Sequence, residues 1–327
     1  MNKGNVRKTS VAHFLLLAVA VTGLGVPLFA FIPGCAAHSL NPAPQAEGSR
    51  VEYSSFQSAA LGHELKFAVQ LPPSYDKDTK RKYPVLYFLH GMNGNEGEFE
   101  RRGVAAAIDR LRESGKIGAM IIVAPAGRNS FYLNAKNGEK YEDAIIKDLI
   151  PHIEKTYRTY GTADMRAIQG ISMGGFGALT LAFKHPQMFS SVTAHCAALF
   201  GELPSTSGAD QRSQFRARLV GSIFGNPPDE AFFRQNNPID LAANNTAAIR
   251  KSGMQIYFDV GEQDRYGFAE PNKDFDARLT KAGIPHKFNL FQGNHGWEYM
   301  ISVAENSYAF LWANFKANKS ATTRAGK

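Results

Sequence analysis

"AIQGISMGGFGALTLAF", residues 167–183, decides how the chain is read. Ser172 stands between a β-strand pattern, "MRAIQGIS", and a helix pattern, "GGFGALTLAFKHP", whose end is marked by Pro186. Gly170 and Gly174 frame it two residues to either side. Gly-x-Ser-x-Gly alone is a weak signal, because both residues are common. A strand, a sharp turn and a helix around it are the setting a nucleophile elbow needs. In so sharp a turn, side chains two positions from the serine collide with neighbouring backbone, and glycine removes the collision. Gly175 lets the helix approach closely, and the helix aims its N-terminal amides near Ser172, where they favour negative charge.

The surrounding elements alternate. "VEYSSFQSAALGHELKFAVQL" predicts two strands joined by a turn around Gly62. "YPVLYFLHG" (83–91) and "AMIIVAPAG" (119–127) are continuous apolar runs that suit strands buried on both faces. "GVAAAIDRLRESG" is a helix between them, and "YEDAIIKDLIPHIEKTY" (141–157) is another, with a kink expected at Pro151. "SSVTAHCAAL", "GMQIYFDVG" and "PHKFNLFQG" are further strands; "NKDFDARLTKAG" and "WEYMISVAENSYAFLWANF" are helices. The alternation implies an α/β fold, a mostly parallel central sheet with helices on both faces. Right-handed crossovers gather the strand-to-helix turns on one edge, where such folds bind ligands. Residues 201–250 break the rhythm and read as an insertion after strand 6, over the active edge.

A serine hydroxyl is a poor nucleophile until a base takes its proton. Of nine histidines, His295 lies directly after the last strand, in "FQGNHGWEYM", on the same edge as Ser172. His195, near the end of "SSVTAHCAAL", is the rival and reads otherwise as a core or pocket-wall residue. The base needs a carboxylate to fix its tautomer and stabilise its cation. "YFDVGEQDRYG" offers Asp259, Glu262 and Asp264; Asp259 sits inside the strand, whereas Asp264 follows Gly261 on the loop. The order Ser172, Asp264, His295 is that of the α/β-hydrolases. The oxyanion donors expected are the backbone N–H groups of Met173 and of Met92, with Gly91 letting the loop turn and both methionine side chains serving as apolar wall.

"FLHGMNG", "GISMGGFGAL", "YFDVGEQD" and "GNHGWEYM", in that order, resemble the esterase D-like, feruloyl esterase-like family of α/β-hydrolases. "IPHIEKTYRT", "FGNPPDEAFFRQNNPIDLA" and "AGIPHKFNLFQG" are similar too, so the resemblance covers roughly residues 50–315. It implies Ser172, Asp264 and His295 as the triad and the Met92 and Met173 amides as the oxyanion hole. Two departures stand out. Ile171 precedes the serine where formylglutathione hydrolases carry a histidine, and Pro125-Ala126-Gly127 replaces a frequent Pro-Asp-Gly. Substrate contacts are expected from Gly91, from Asn129 and Tyr132 in "RNSFYLN", and from Trp297. The function expected is a serine carboxylesterase that needs no metal or cofactor and acts on a small or carbohydrate-linked ester, feruloyl and acetyl esters included. Two alternatives are an acyltransferase on the same triad, as in the mycolyltransferases, and a non-catalytic carbohydrate-binding or adhesion protein on the same fold. The complete triad speaks against the latter.

The first 35 of the 327 residues differ from the rest. Lys3, Arg7 and Lys8 precede "FLLLAVAVTGLGVPLFAFI" (14–32), the make-up of an export signal. "IPGC" (32–35) resembles a bacterial lipobox, Pro33 being unusual in it, and would place a membrane-anchoring lipid on Cys35; the other reading is ordinary cleavage near Ala36 or Ala37. Residues 36–50 read as a flexible tether, 51–318 as the α/β-hydrolase domain and 319–327 as a disordered tail. The net charge is +8, and removal of residues 1–35 leaves +5. The remaining cations are scattered, so a solvated surface is expected rather than a nucleic-acid site. With Cys35 modified or removed, Cys196 stands alone and no intrachain disulfide forms. The location expected is outside the cytoplasm, free or lipid-anchored.

Overall fold

Among the described residues eight strands form one sheet, in the spatial order Arg50–Gln57, Glu64–Leu71, Ile121–Pro125, Val85–Leu89, Arg166–Ile171, Ser191–His195, Gln255–Gly261, Lys287–Phe291. The computed structural model describes residues 48–325 apart from Ala209; the expected export signal and lipobox lie outside the described residues. β1 (Arg50–Gln57) and β2 (Glu64–Leu71) make the antiparallel hairpin, turning near Gly62 at φ 73°. β3 (Val85–Leu89) leads through α1 (Glu98–Arg101) and α2 (Val104–Glu113) to β4 (Ile121–Pro125). α3 (Tyr141–Asp143), a π-helical turn (Ala144–Leu149) and α4 (Ile150–Thr156) follow. The kink expected at Pro151 is thus taken up as a wider turn: proline has no N–H for the helical ladder, and the turn before it widens.

β5 (Arg166–Ile171) and α5 (Met173–Lys184) flank Ser172, and β6 (Ser191–His195) pairs in parallel with β5. The insertion comprises α6 (Gln211–Phe224), α7 (Glu230–Asn236), α8 (Pro238–Asn244) and α9 (Thr246–Ser252). β7 (Gln255–Gly261), α10 (Ala269–Lys281), β8 (Lys287–Phe291) and α11 (Trp297–Ala325) complete the fold. From 319, where a tail is expected, α11 instead runs on to Ala325. The stretch 316–325 holds no Gly or Pro to stop a helix.

Alternation along each strand builds the two layers. Val85, Tyr87 and Leu89 of β3 face the core beneath α5 and the π-helical turn. Leu86 and Phe88 face the other core, with α2 and α11 supplying Val104, Ile108, Tyr308 and Leu311. All five β3 residues are buried, as an apolar run between two helical layers requires.

One topological step positions the site. β3 pairs in parallel with β4 on one side and β5 on the other, so the chain winds away from β3 in both directions. The loops that leave β3 and β5 therefore part at the carboxyl edge and open a crevice there. Met92 lies on the first loop and Ser172 on the second.

Candidate active site

Ser172 has φ 57° and ψ −117°, a conformation an L-residue adopts only when the surroundings enforce it. β6 and the loop after it do the enforcing: the Ser172 N–H donates to His195 O (2.9 Å), and the Ala198 N–H donates to Ser172 O (3.1 Å). The flanking glycines are required sterically. A Cβ on Gly170 would overlap Gly174 O, and one on Gly174 would overlap Leu89 O. Both obstacles are backbone and cannot swing aside. The first helical bond of α5 runs from Phe176 N–H to Ser172 O, so the Met173 N–H precedes the ladder. The Met173 side chain is fully buried in the main core and forms no pocket wall, contrary to expectation. A helix that starts inside the sheet edge turns its first side chain inward.

The β3 loop is held by His90. The Gly127 N–H donates to His90 Nε2 (2.8 Å), which leaves the proton on Nδ1, and Nδ1–H donates to Gly91 O (2.7 Å). Burial holds this imidazole below its ordinary pKa, hence neutral. In a trans peptide the C=O and N–H point opposite ways. Fastening Gly91 O to His90 therefore turns the Met92 N–H to the other side, and that N–H has no acceptor among the described residues. Gly91 itself does not need a left-handed φ; the positive φ falls on Asn93 at 61°.

Asn129 and Tyr132 act behind this loop. The Asn93 N–H donates to Asn129 Oδ1 (2.7 Å), and Asn129 Nδ2 donates to Asn93 Oδ1 (2.8 Å). Tyr132 is fully buried and its hydroxyl donates to His90 O (3.2 Å). Neither borders the Ser172 cavity, so the structure places both as braces rather than in the pocket. The sequence shows that they follow β4, not which way the loop folds.

His295 and Asp264 meet: His295 Nδ1–H donates to Asp264 Oδ2 at 2.7 Å. A carboxylate only accepts, so the Nδ1 proton is fixed and Nε2 is left as the basic atom. Burial alone would raise the Asp264 carboxyl. The His295 hydrogen bond, its charge and the Tyr266 and Phe268 N–H groups outweigh that and hold it below the usual aspartate range. Asn294 ties the two loops together, its Oδ1 accepting from Arg265 N–H (2.9 Å) and His295 N–H (2.8 Å). Sequence reasoning missed Asn294, although it adjoins His295. The rings of Tyr266 (4.7 Å) and Phe268 (5.7 Å) pack against the imidazole.

Ser172 and His295 border one cavity of about 460 Å³, together with Gly91, Met92, Phe131, Phe200 and Trp297. Among the described residues no hydrogen bond joins Ser172 Oγ to His295; such bonds are often open until substrate arrives. His195 lies elsewhere. It is fully buried, bonded through Nδ1 to Asp259 and through Nε2 to Gln169, and Tyr299 donates to the same carboxylate. This pair braces β5, β6, β7 and α11 beneath the elbow. Cys196, Asp264 and His295 group their ligand-type atoms, but the aspartate and histidine are spent on each other. Burial holds the thiol well above its ordinary pKa.

Sheet order, elbow and a histidine–carboxylate pair on one edge define an α/β-hydrolase of the serine-hydrolase kind. Residues 58–303 match the family described as "Putative esterase", and the chain belongs to that family. An esterase of Mycobacterium tuberculosis is 32% identical over 263 residues, 75% of this chain and 56% of the relative. This chain thus spans little more than half of that relative's length. An endo-1,4-beta-xylanase/feruloyl esterase of Xylanibacter ruminicola is 34% identical over 147 residues, 42% of this chain and 20% of the relative. Among solved structures, a ferulic acid esterase superposes with TM-score 0.69 at 30% identity, covering 82% of this chain and 99% of its own.

Proposed function

We propose that the protein is a serine carboxylesterase that works through an acyl-enzyme on Ser172. The observation that carries the reading is the 2.7 Å Asp264–His295 pair facing the cavity into which the strained elbow projects Ser172. Ser172 Oγ attacks the ester carbonyl carbon while His295 Nε2 takes its proton. The Met92 and Met173 N–H groups receive the oxyanion, usually a large share of the rate enhancement. The intermediate collapses, the C–O bond to the alcohol breaks, and His295 returns the proton to the departing oxygen. Water repeats the sequence and releases the acid. Ferulate and acetate, the acyl groups in relatives' names, are the first to try.

The test is direct. The protein is expected to hydrolyse p-nitrophenyl acetate and to take one fluorophosphonate label per chain, on Ser172. A protein that hydrolyses no ester, or carries the label elsewhere, ends this reading.

We infer further that the protein is exported, from the basic and apolar composition of residues 1–32. If Cys35 carries a lipid, radiolabelled palmitate enters the wild-type protein and not Cys35→Ala. Equal labelling, or none, removes the anchor.

A further inference from the structure

We propose that a groove between α6 and the β3 loop holds the acyl chain of the substrate, and that the protein prefers esters of medium-chain aliphatic acids to acetate. This rests on the esterase reading. The groove measures about 220 Å³ and is walled by Met92, Phe131, Phe200, Phe215, Leu219 and Ile223. Met92, Phe131 and Phe200 also wall the Ser172 cavity, so the two spaces adjoin at the oxyanion loop.

Chemistry fixes which half of the ester enters. The departing oxygen must stay within reach of His295, and the wall there carries Arg265 and Tyr266. That polar end suits the alcohol. The acyl carbon's own substituent runs the other way, past Met92, into the apolar groove.

α6 is built for such a chain. Phe215, Leu219 and Ile223 recur every four residues and form one stripe of the helix. Ile223 is buried, Leu219 is half-buried and Phe215 is 41% exposed. The stripe thus leaves the core and continues along the groove to an exposed outer end at Phe215. At about 220 Å³ the groove has room for a chain of several methylenes. Each methylene taken out of water adds about three- to fourfold to binding.

The experiment compares kcat/KM for p-nitrophenyl acetate, butyrate and octanoate. The octanoate-to-acetate ratio is expected to exceed about tenfold in the wild type. Leu219→Trp fills the groove and lowers that ratio by about tenfold or more. Phe215→Asp, at an exposed position where folding is safe, puts a charge on the rim and lowers it several-fold. A wild-type ratio near one, or a ratio untouched by both variants, overturns the groove while acetate hydrolysis keeps the esterase reading. Failure on every chain length overturns the esterase reading itself, and the groove with it.

Discussion

Ser172→Ala is expected to lower kcat for p-nitrophenyl acetate by about 10⁶-fold, since removing a serine nucleophile costs about as much as removing its whole triad. The residue left behind tolerates the change. Ser172 Oγ makes no hydrogen bond among the described residues, so no buried partner is orphaned. The strained φ of 57° is imposed by the His195 O and Ala198 N–H contacts, which are backbone and persist with alanine. Stability should therefore shift by no more than about 0.5 kcal/mol. Denaturant unfolding checks that half and stopped-time assays the other. The proposed oxyanion donors are untouched, so a residual rate of about 10³-fold over water is expected. A variant that keeps a tenth of wild-type turnover would remove Ser172 from the mechanism.

The contrast with the flanking glycines separates chemistry from architecture. At Ser172 the side chain is expendable to the fold. At Gly174 even a methyl would overlap Leu89 O. The same contrast explains what was legible in the sequence. Gly170, Ser172 and Gly174 are chemically unusual residues at fixed spacing, and the strand and helix runs beside them leave one fold that accommodates them. Asp264 and His295 were legible because each follows a strand that ends at the same edge. Residues that work through loop conformation were not legible. Asn129 and Tyr132 lie in a loop where Arg128, Phe131 and Tyr132 all take positive φ, which apolar periodicity does not encode. That turn sends Tyr132 under His90 and Asn129 onto Asn93 instead of into the cavity. The burial of the Met173 side chain is illegible for a related reason: it depends on the angle at which α5 leaves the sheet edge. The walls supplied by Phe131, Phe200 and α6 come from distant segments, and only tertiary packing brings them to Met92.

Asp264→Asn is expected to lower kcat by about 10⁴-fold with the fold retained. The argument is one of tautomers. Asp264 Oδ2 accepts from His295 Nδ1, and Oδ1 accepts from the Tyr266 N–H (2.9 Å). An asparagine keeps one carbonyl oxygen. The backbone N–H at Tyr266 claims it, because that donor cannot turn away. The amide nitrogen then faces His295 and donates, which forces the ring proton from Nδ1 to Nε2. His295 would present a proton to Ser172 instead of a lone pair, and the base would be lost at neutral pH. The pH dependence of stability gives an independent check. The folded carboxyl lies below its unfolded value of 3.8, so its contribution is fully present above that value. It is lost as pH falls through the folded value. The asparagine variant lacks this loss, so the stability gap between wild type and variant should narrow below pH 3.8. Equilibrium unfolding across that range measures the gap. If the variant retains more than a tenth of kcat, the orienting carboxylate is not Asp264. Glu262, whose carboxylate instead meets Gln263 and Gln292, would be the next group to replace.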